Sequence, residues 1–173
     1  MDGMDGMNDQ SPRLRRLTPA DAEPLAVFYN GLSPAALRTF CPLGPGTTPE
    51  ACAAVGIGNL AGAETRYDLA AWRDGGIVGW GFIQGIEAEQ PEFGLGVADD
   101  HRGRGLGGRL MDAVLAEAGR RALPSIFLIV VTDNTVAWRL YESRGFVKYD
   151  EYLDATSGLS YFRMRRESPA RQE

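Results

Sequence analysis

Arg102-Gly103-Arg104-Gly105-Leu106-Gly107-Gly108 links a short strand pattern, Glu92 to Val97, to an amphipathic helix pattern, Leu106 to Arg121. A glycine-rich turn between a strand and a helix start offers a place for phosphate. The first amides of a helix have no internal partner, and the helix dipole puts partial positive charge there. Gly103, Gly105, Gly107 and Gly108 lack a Cβ, so an anionic oxygen can approach the backbone closely. Arg102 and Arg104 add full positive charge at the same place. The pattern points to a diphosphate-bearing cofactor.

The flanking residues give the architecture. Leu106, Leu110, Met111, Val114, Leu115 and Ala118 recur at helical spacing and form a stripe that must pack on a sheet. Ile126 to Val131 is a continuous apolar run, which predicts a strand buried on both faces. The unit from Glu92 to Val131 is therefore a parallel strand–helix–strand with a right-handed crossover. Asn134 to Arg144 predicts a helix, closed by Gly145 in the left-handed capping role. Phe146–Leu153 and Leu159–Arg165 predict a closing hairpin.

Upstream, Arg13–Leu17 predicts a strand and Asp21–Asn30 a helix, with Thr18 or Asp21 as cap. Ser33–Phe40 predicts a further helical turn. Thr48 and Pro49 open a helix that reaches about Gly62. Tyr67–Trp72 and Ile77–Ile86 pair across Asp74-Gly75, a tight-turn signal. The expectation is a single α/β (α+β) domain over residues 13–167, with a mixed, mostly antiparallel sheet and one parallel strand pair. Residues 1–12 read as a disordered leader and 168–173 as a tail.

Composition narrows the function classes. A chain of 173 residues with 44% hydrophobic and 24% charged residues suits one soluble domain. A net charge of −5 argues against a nucleic-acid partner. No apolar run approaches the ~20 residues that span a bilayer, so no membrane partner is expected. The polar N-terminus shows no secretory signal, and Cys41 and Cys52 lack metal-ligand spacing, which reads as a cytoplasmic protein. His101 is the only histidine, so no metal site and no histidine triad are expected.

Two families of cofactor site match the glycine loop. Gly103-x-Gly105-x-x-Gly108 satisfies the dinucleotide fingerprint of a Rossmann-type oxidoreductase, with Asp133 at the end of the next strand. Against it, Ala98 to Arg102 separate the strand from the first glycine. The residues beyond Val131 also cannot supply further strand–helix repeats. A P-loop is excluded because no Gly-Lys-Ser/Thr follows.

The second match is double. Arg102-x-x-Gly105-x-Gly107 resembles the acyl-CoA pyrophosphate motif (Q/R)-x-x-G-x-(G/A) of the GNAT superfamily of N-acetyltransferases. Downstream, Asn134-x-x-Ala137-x-x-Leu140-Tyr141-x-x-x-Gly145-Phe146 resembles that family's second signature. The resemblance covers Glu92 to about Tyr152. It implies a GNAT-type acyl-CoA N-acyltransferase fold in which the strands Glu92–Val97 and Ile126–Val131 splay apart. It also implies acetyl-CoA as acyl donor, without a metal. The backbone of Leu95, Gly96 and Val97 would hold pantetheine, and Gly103 to Gly108, including Leu106, would hold pyrophosphate with Arg102 and Arg104. Asn134 would hold the pantetheine arm, Tyr141 would protonate the leaving thiolate, and a Val97 N–H would meet the oxyanion.

For the base, Glu92 heads the central strand, where several family members place an acid that works through water. Alternation puts Glu92, Gly94 and Gly96 on one face and Phe93, Leu95 and Val97 on the other. If the latter face lies under the amphipathic helix, Glu92 points to the acceptor side. Asp133 is a weaker candidate. Ile129 stands where the ribosomal-protein acetyltransferases of this superfamily carry a glutamate. A ribosomal-protein acceptor is therefore not expected, and a small amine or another peptide is. Phe28, Tyr29, Phe40 and Trp72 are candidates for either an acceptor pocket or the core. Family members are often homodimers, which the resemblance allows here. A non-catalytic acyl-CoA-binding or sensing module is the alternative function.

Overall fold

The computed structural model describes residues 11–60 and 65–168. Its chain order is β1 (Arg13–Arg16), α1 (Ala22–Asn30), α2 (Pro34–Thr39), α3 (Pro49–Gly58), β2 (Arg66–Arg73), β3 (Gly76–Gln84) and β4 (Glu92–Val97). α4 (Leu106–Arg120), β5 (Ser125–Val131), α5 (Thr135–Glu142), β6 (Val147–Asp154) and β7 (Leu159–Glu167) follow. The strands form one seven-stranded sheet in the order β1-β2-β3-β4-β5-β7-β6. Every neighbouring pair is antiparallel except β4 with β5. This sheet is not doubly wound, so the Rossmann alternative falls with it.

Each sheet face has its own helices and its own core. On one face α4 lays down its apolar stripe, and Leu110, Met111, Val114 and Ala118 are fully buried against Ile83, Phe93, Ile126 and Met164. β3 admits the helix because it has no side chain at the contact: a Cβ on Gly79 would lie 2.8 Å from Leu110 Cδ1. On the other face, α1 to α3 bury Leu25, Tyr29, Phe40 and Val55 over Trp80 and Phe82. Phe28, Tyr29 and Phe40 thus belong to this second core, and Trp72 packs at its margin.

Three sequence expectations are corrected. The helix predicted to reach Gly62 stops at Gly58, because Asn59 turns away to bridge two strands. Its Nδ2 donates to the carbonyls of Leu17 (2.7 Å) and Asp68 (3.0 Å). Residues 61 and 62 lie outside the described residues. β3 ends at Gln84 rather than Ile86. β5 is buried on both faces only at its end: Ile126, Leu128 and Val130 are buried under the helices, while on the opposite face Val131 is buried but Ile129 is 49% exposed.

Most of the expected leader and tail also lie outside the described residues. What is described is tied down: Arg109 donates to the Pro12 carbonyl (3.1 Å), and Ser168 N–H donates to the Pro124 carbonyl (2.9 Å). Gly145 is left-handed (φ 85°), as its capping role requires.

Candidate active site

The site is built around a break in the sheet. β4 pairs with β3 along its whole length, from Glu92 opposite Gln84 to Val97 opposite Gly79. With β5 it shares one register pair, Glu92 with Phe127, where the Phe127 N–H donates to the Pro91 carbonyl (2.8 Å). Beyond that point β5 pairs only with β7, and the two parallel strands diverge. The β5-facing backbone groups of β4 therefore have no strand partner in the stretch that includes Leu95, Gly96 and Val97. A ligand with its own amides can supply one.

α4 starts at the mouth of this break. α2, α3 and α5 are each capped by a side chain, from Ser33, Thr48 and Asn134 respectively. α4, the longest helix, has only Gly105 at its N-cap, left-handed at φ 77° and with no capping side chain. The first internal amide bond of α4 runs from Arg109 N–H to the Gly105 carbonyl (3.1 Å). The amides of Leu106, Gly107 and Gly108 precede it and point out of the helix end. Gly103 is also left-handed (φ 71°), and a Cβ at either Gly103 or Gly105 would meet nothing within 4 Å. The loop is open above its backbone, as a pyrophosphate cradle needs to be.

The arginines divide. Arg102 folds back onto the strand end, with Nε donating to the Val97 carbonyl (3.1 Å) and an ion pair to Asp99 (3.3 Å). In this conformation Arg102 organises the loop. Arg104 instead lines the cavity beside the helix start.

Tyr141 sits in α5 beneath the break. It is 8% exposed and packs edge-on against Phe93 (6.0 Å between centroids) and beside Phe146 (6.1 Å). Burial pushes its phenol up to about 12, so it keeps its proton throughout the working range of an enzyme. A thiolate leaving group needs a donor of this kind.

Strand alternation on β4 matches the expectation. Phe93, Leu95 and Val97 face the α4 core. Gly94 and Gly96 face the other way and are covered by the rings of Phe82 and Phe40. Glu92 shares that second face. It is half-buried, and one oxygen accepts from Gln84 Nε2 (3.3 Å). Its charge also reaches Tyr152 on β6. Around it on the C-terminal half-sheet, Tyr152 and Tyr161 stack 5.4 Å apart, and the Arg163 guanidinium lies 4.6 Å over Tyr152. Arg163 is itself paired with Asp150 (3.0 Å).

Sequence reasoning missed how α2 spans the break. Asp99 follows β4 by two residues and Asp133 follows β5 by two residues. Asp99 accepts from the Ser33 hydroxyl (3.1 Å) and amide (3.2 Å). Asp133 accepts a two-pronged bond from Arg38 (3.0 and 2.7 Å). One six-residue helix is thereby fastened to the end of each splayed strand. The Arg38 guanidinium holds the Asp133 carboxyl below the usual carboxylate range. Paired in this way, Asp133 is a poor base, whereas Glu92, among the described residues, accepts only from the Gln84 amide. Asn134, assigned to the pantetheine arm, caps α5 through its side chain (3.4 Å to Ala137 N–H). Among the described residues no cluster of His, Cys, Asp and Glu could hold a metal.

This geometry has a match among known proteins. The sequence profile of the acetyltransferase (GNAT) family covers residues 38–146, from the α2 arginine to the end of the second signature. The chain belongs to the GNAT family. Among relatives, it is 34% identical over 80 residues to a mycothiol acetyltransferase of Corynebacterium aurimucosum, covering 44% of this chain and 26% of that protein. It thus spans about a quarter of the length of that curated relative. A GNAT acetyltransferase structure from Streptococcus pneumoniae superposes with a TM-score of 0.77 at 21% identity, covering 91% of this chain and 99% of that one. The acetyltransferase yncA of Salmonella typhimurium, described as a putative enzyme with its cofactor acetyl-CoA, superposes with a TM-score of 0.76 at 19% identity, covering 94% and 98%. At these identities the solved GNAT structures speak for the fold.

Proposed function

We propose that this chain is an acetyl-CoA-dependent N-acetyltransferase that passes the acetyl group directly to a primary amine in a ternary complex. One observation carries the reading: α4 begins uncapped on Gly105 at the mouth of the only parallel, splayed strand pair in the sheet. An anionic head group at the helix end and an amide-bearing arm along β4 fill both deficits at once. Pyrophosphate takes the amides of Gly103 to Gly108, with Arg104 beside them. Pantetheine takes the backbone of Leu95, Gly96 and Val97, with Asn134 across the break. The thioester oxygen lies at the Val97 N–H.

The reaction then needs two proton movements. The acceptor amine gives a proton to Glu92, directly or through one water, and its nitrogen attacks the thioester carbon. The C–S bond breaks as the tetrahedral oxyanion collapses, Tyr141 gives its proton to the departing sulfur, and the extra proton left on the new amide nitrogen passes through water to restore the phenol. The base and the acid lie on opposite sides of β4, Glu92 toward α2 and Tyr141 toward α4. The acceptor therefore enters from the α2 side and the cofactor from the α4 side.

The acceptor is a primary amine of a small molecule or a peptide. The relatives named mycothiol acetyltransferases support an acetyl-transferring role, and the half-buried carboxylate of Glu92 suits an amine. No described helix is long and apolar enough to cross a membrane, and the two unbridged cysteines suit a reducing cytoplasm. The test is thiol release from acetyl-CoA across a panel of amines, beside calorimetry with acetyl-CoA and NAD. Binding of acetyl-CoA without thiol release on any amine would leave a sensing module instead.

A further inference from the structure

At the top of the sheet, the start of β1, the turn after β2 and the first turn of α4 close around a cavity of about 290 Å³. Arg73, Arg104 and Arg109 line it, with His101, Pro12 and Leu106. These three arginines come from separate places in the chain and line one recess in a protein whose net charge is −5. Arg73 is balanced by Asp74 at 3.5 Å, a carboxylate that is 91% exposed, and His101 by Asp100 at 2.7 Å. Among the described residues neither Arg104 nor Arg109 has a carboxylate within salt-bridge distance, although the Asp100 charge reaches Arg104. Arg109 is instead fixed by donating to the Pro12 carbonyl, which holds its guanidinium at the cavity without neutralising it.

We propose that this cavity binds a phosphoryl anion. Like charges gathered in one recess repel, and a ligand of high negative charge removes the repulsion. A phosphate monoester has up to two negative charges and three oxygens for guanidinium forks, whereas a carboxylate has one charge and two oxygens. Arg104 and Leu106 flank the Gly105 cap, so the cavity opens next to the loop that takes the pyrophosphate. The phosphoryl group has two possible sources: the 3′-phosphate of the bound cofactor, which rests on the proposed function, or a free phosphate anion, which does not.

Titration calorimetry on the full chain separates them, using CoA, 3′-dephospho-CoA and inorganic phosphate against the wild type, Arg109→Gln and Arg73→Gln. If the cofactor supplies the group, CoA binds about 10-fold more tightly than dephospho-CoA. That preference then disappears in Arg109→Gln, while dephospho-CoA affinity stays the same. If the anion is free, the two cofactors bind alike, and phosphate binds the CoA-saturated wild type but binds about 10-fold more weakly to either variant. Circular dichroism checks that both variants fold, and agreement between them guards against a local defect in one. The proposal is overturned if the cofactors bind alike and millimolar phosphate does not bind the CoA-saturated wild type. It is also overturned if neither substitution changes any of these affinities. Failure of both cofactors to bind would defeat the acetyl-CoA reading, and phosphate titration of the free protein would still decide the cavity.

Discussion

Gly96→Ala tests how tightly the acceptor side of β4 is built. A Cβ at position 96 would lie 2.9 Å from Phe40 Cζ, with Cδ1 and Cε1 of the same ring nearer still. Carbon atoms in contact sit about 3.5–4.0 Å apart, so the ring must retreat by roughly 1 Å. It has little freedom to do so. Phe40 is 9% exposed and packs edge-on to Trp80 (5.7 Å) and against Tyr29 (6.4 Å) and Phe82 (6.3 Å). α2, immediately before it, is fastened to both Asp99 and Asp133. Overpacking of this kind costs about 1–3 kcal/mol. In a domain of this size each kcal/mol moves Tm by roughly 2–4 °C, so Tm falls by roughly 2–12 °C. The assay is thermal and urea unfolding of Gly96→Ala, Phe40→Leu and the double variant. In the Phe40→Leu background the added methyl has room, so a coupling above about 0.5 kcal/mol is expected. If the two costs add within that margin, ring and strand do not share the space and the packing argument is wrong.

Further outcomes follow from the same geometry. Tyr141→Phe keeps the ring in its contacts with Phe93 and Phe146 and removes only the hydroxyl. Acetyl-CoA affinity should hold while turnover drops by about 10²-fold; full turnover would place the acid elsewhere. Because burial raises the Tyr141 phenol from about 10 to about 12, Tyr141 produces no alkaline loss of activity below about pH 10. The sign for stability is set by the unfolded chain, which ionises first: the contribution is fully present below pH 10 and is lost between about pH 10 and 12, an alkaline loss that Tyr141→Phe should diminish. Glu92→Gln should lower kcat/KM most at low pH and least at high pH, where more amine is already neutral; an unchanged profile reduces Glu92 to a strand-end charge. Ala122 follows α4 at φ 54°, a left-handed position that costs a non-glycine residue about 1 kcal/mol, so Ala122→Gly should raise Tm without affecting activity.

Much of the backbone frame around the glycine loop was legible in the sequence, and little of what packs on the opposite face of β4. Glu92–Val97 and the start of α4 at Leu106 were read to the residue, because glycines and an apolar stripe are local signals. Gly145 could be assigned left-handed backbone for the same reason. The end of α3 was misread because its cause, Asn59, acts on Leu17 and Asp68, far away in sequence. The Arg38–Asp133 pair joins residues 95 positions apart and left no trace in spacing or composition. Nor could an apolar run at Ile126–Val131 reveal that Ile129 faces an uncovered part of the sheet. Phe40 was as good a pocket candidate as a core one until Gly96 placed its ring.

The central claim is that the splayed strands and the glycine loop hold acetyl-CoA for transfer to an amine. The most direct measurement is thiol release from acetyl-CoA with an amine panel, run on the wild type and on Gly105→Glu. That substitution puts a carboxylate where the loop is open for pyrophosphate, with no Cβ clash to disturb the fold, although the residue must adopt φ 77°. The account predicts thiol release matched by amide formation for at least one amine in the wild type, and none in the folded variant. Equal thiol release by a folded Gly105→Glu would contradict it.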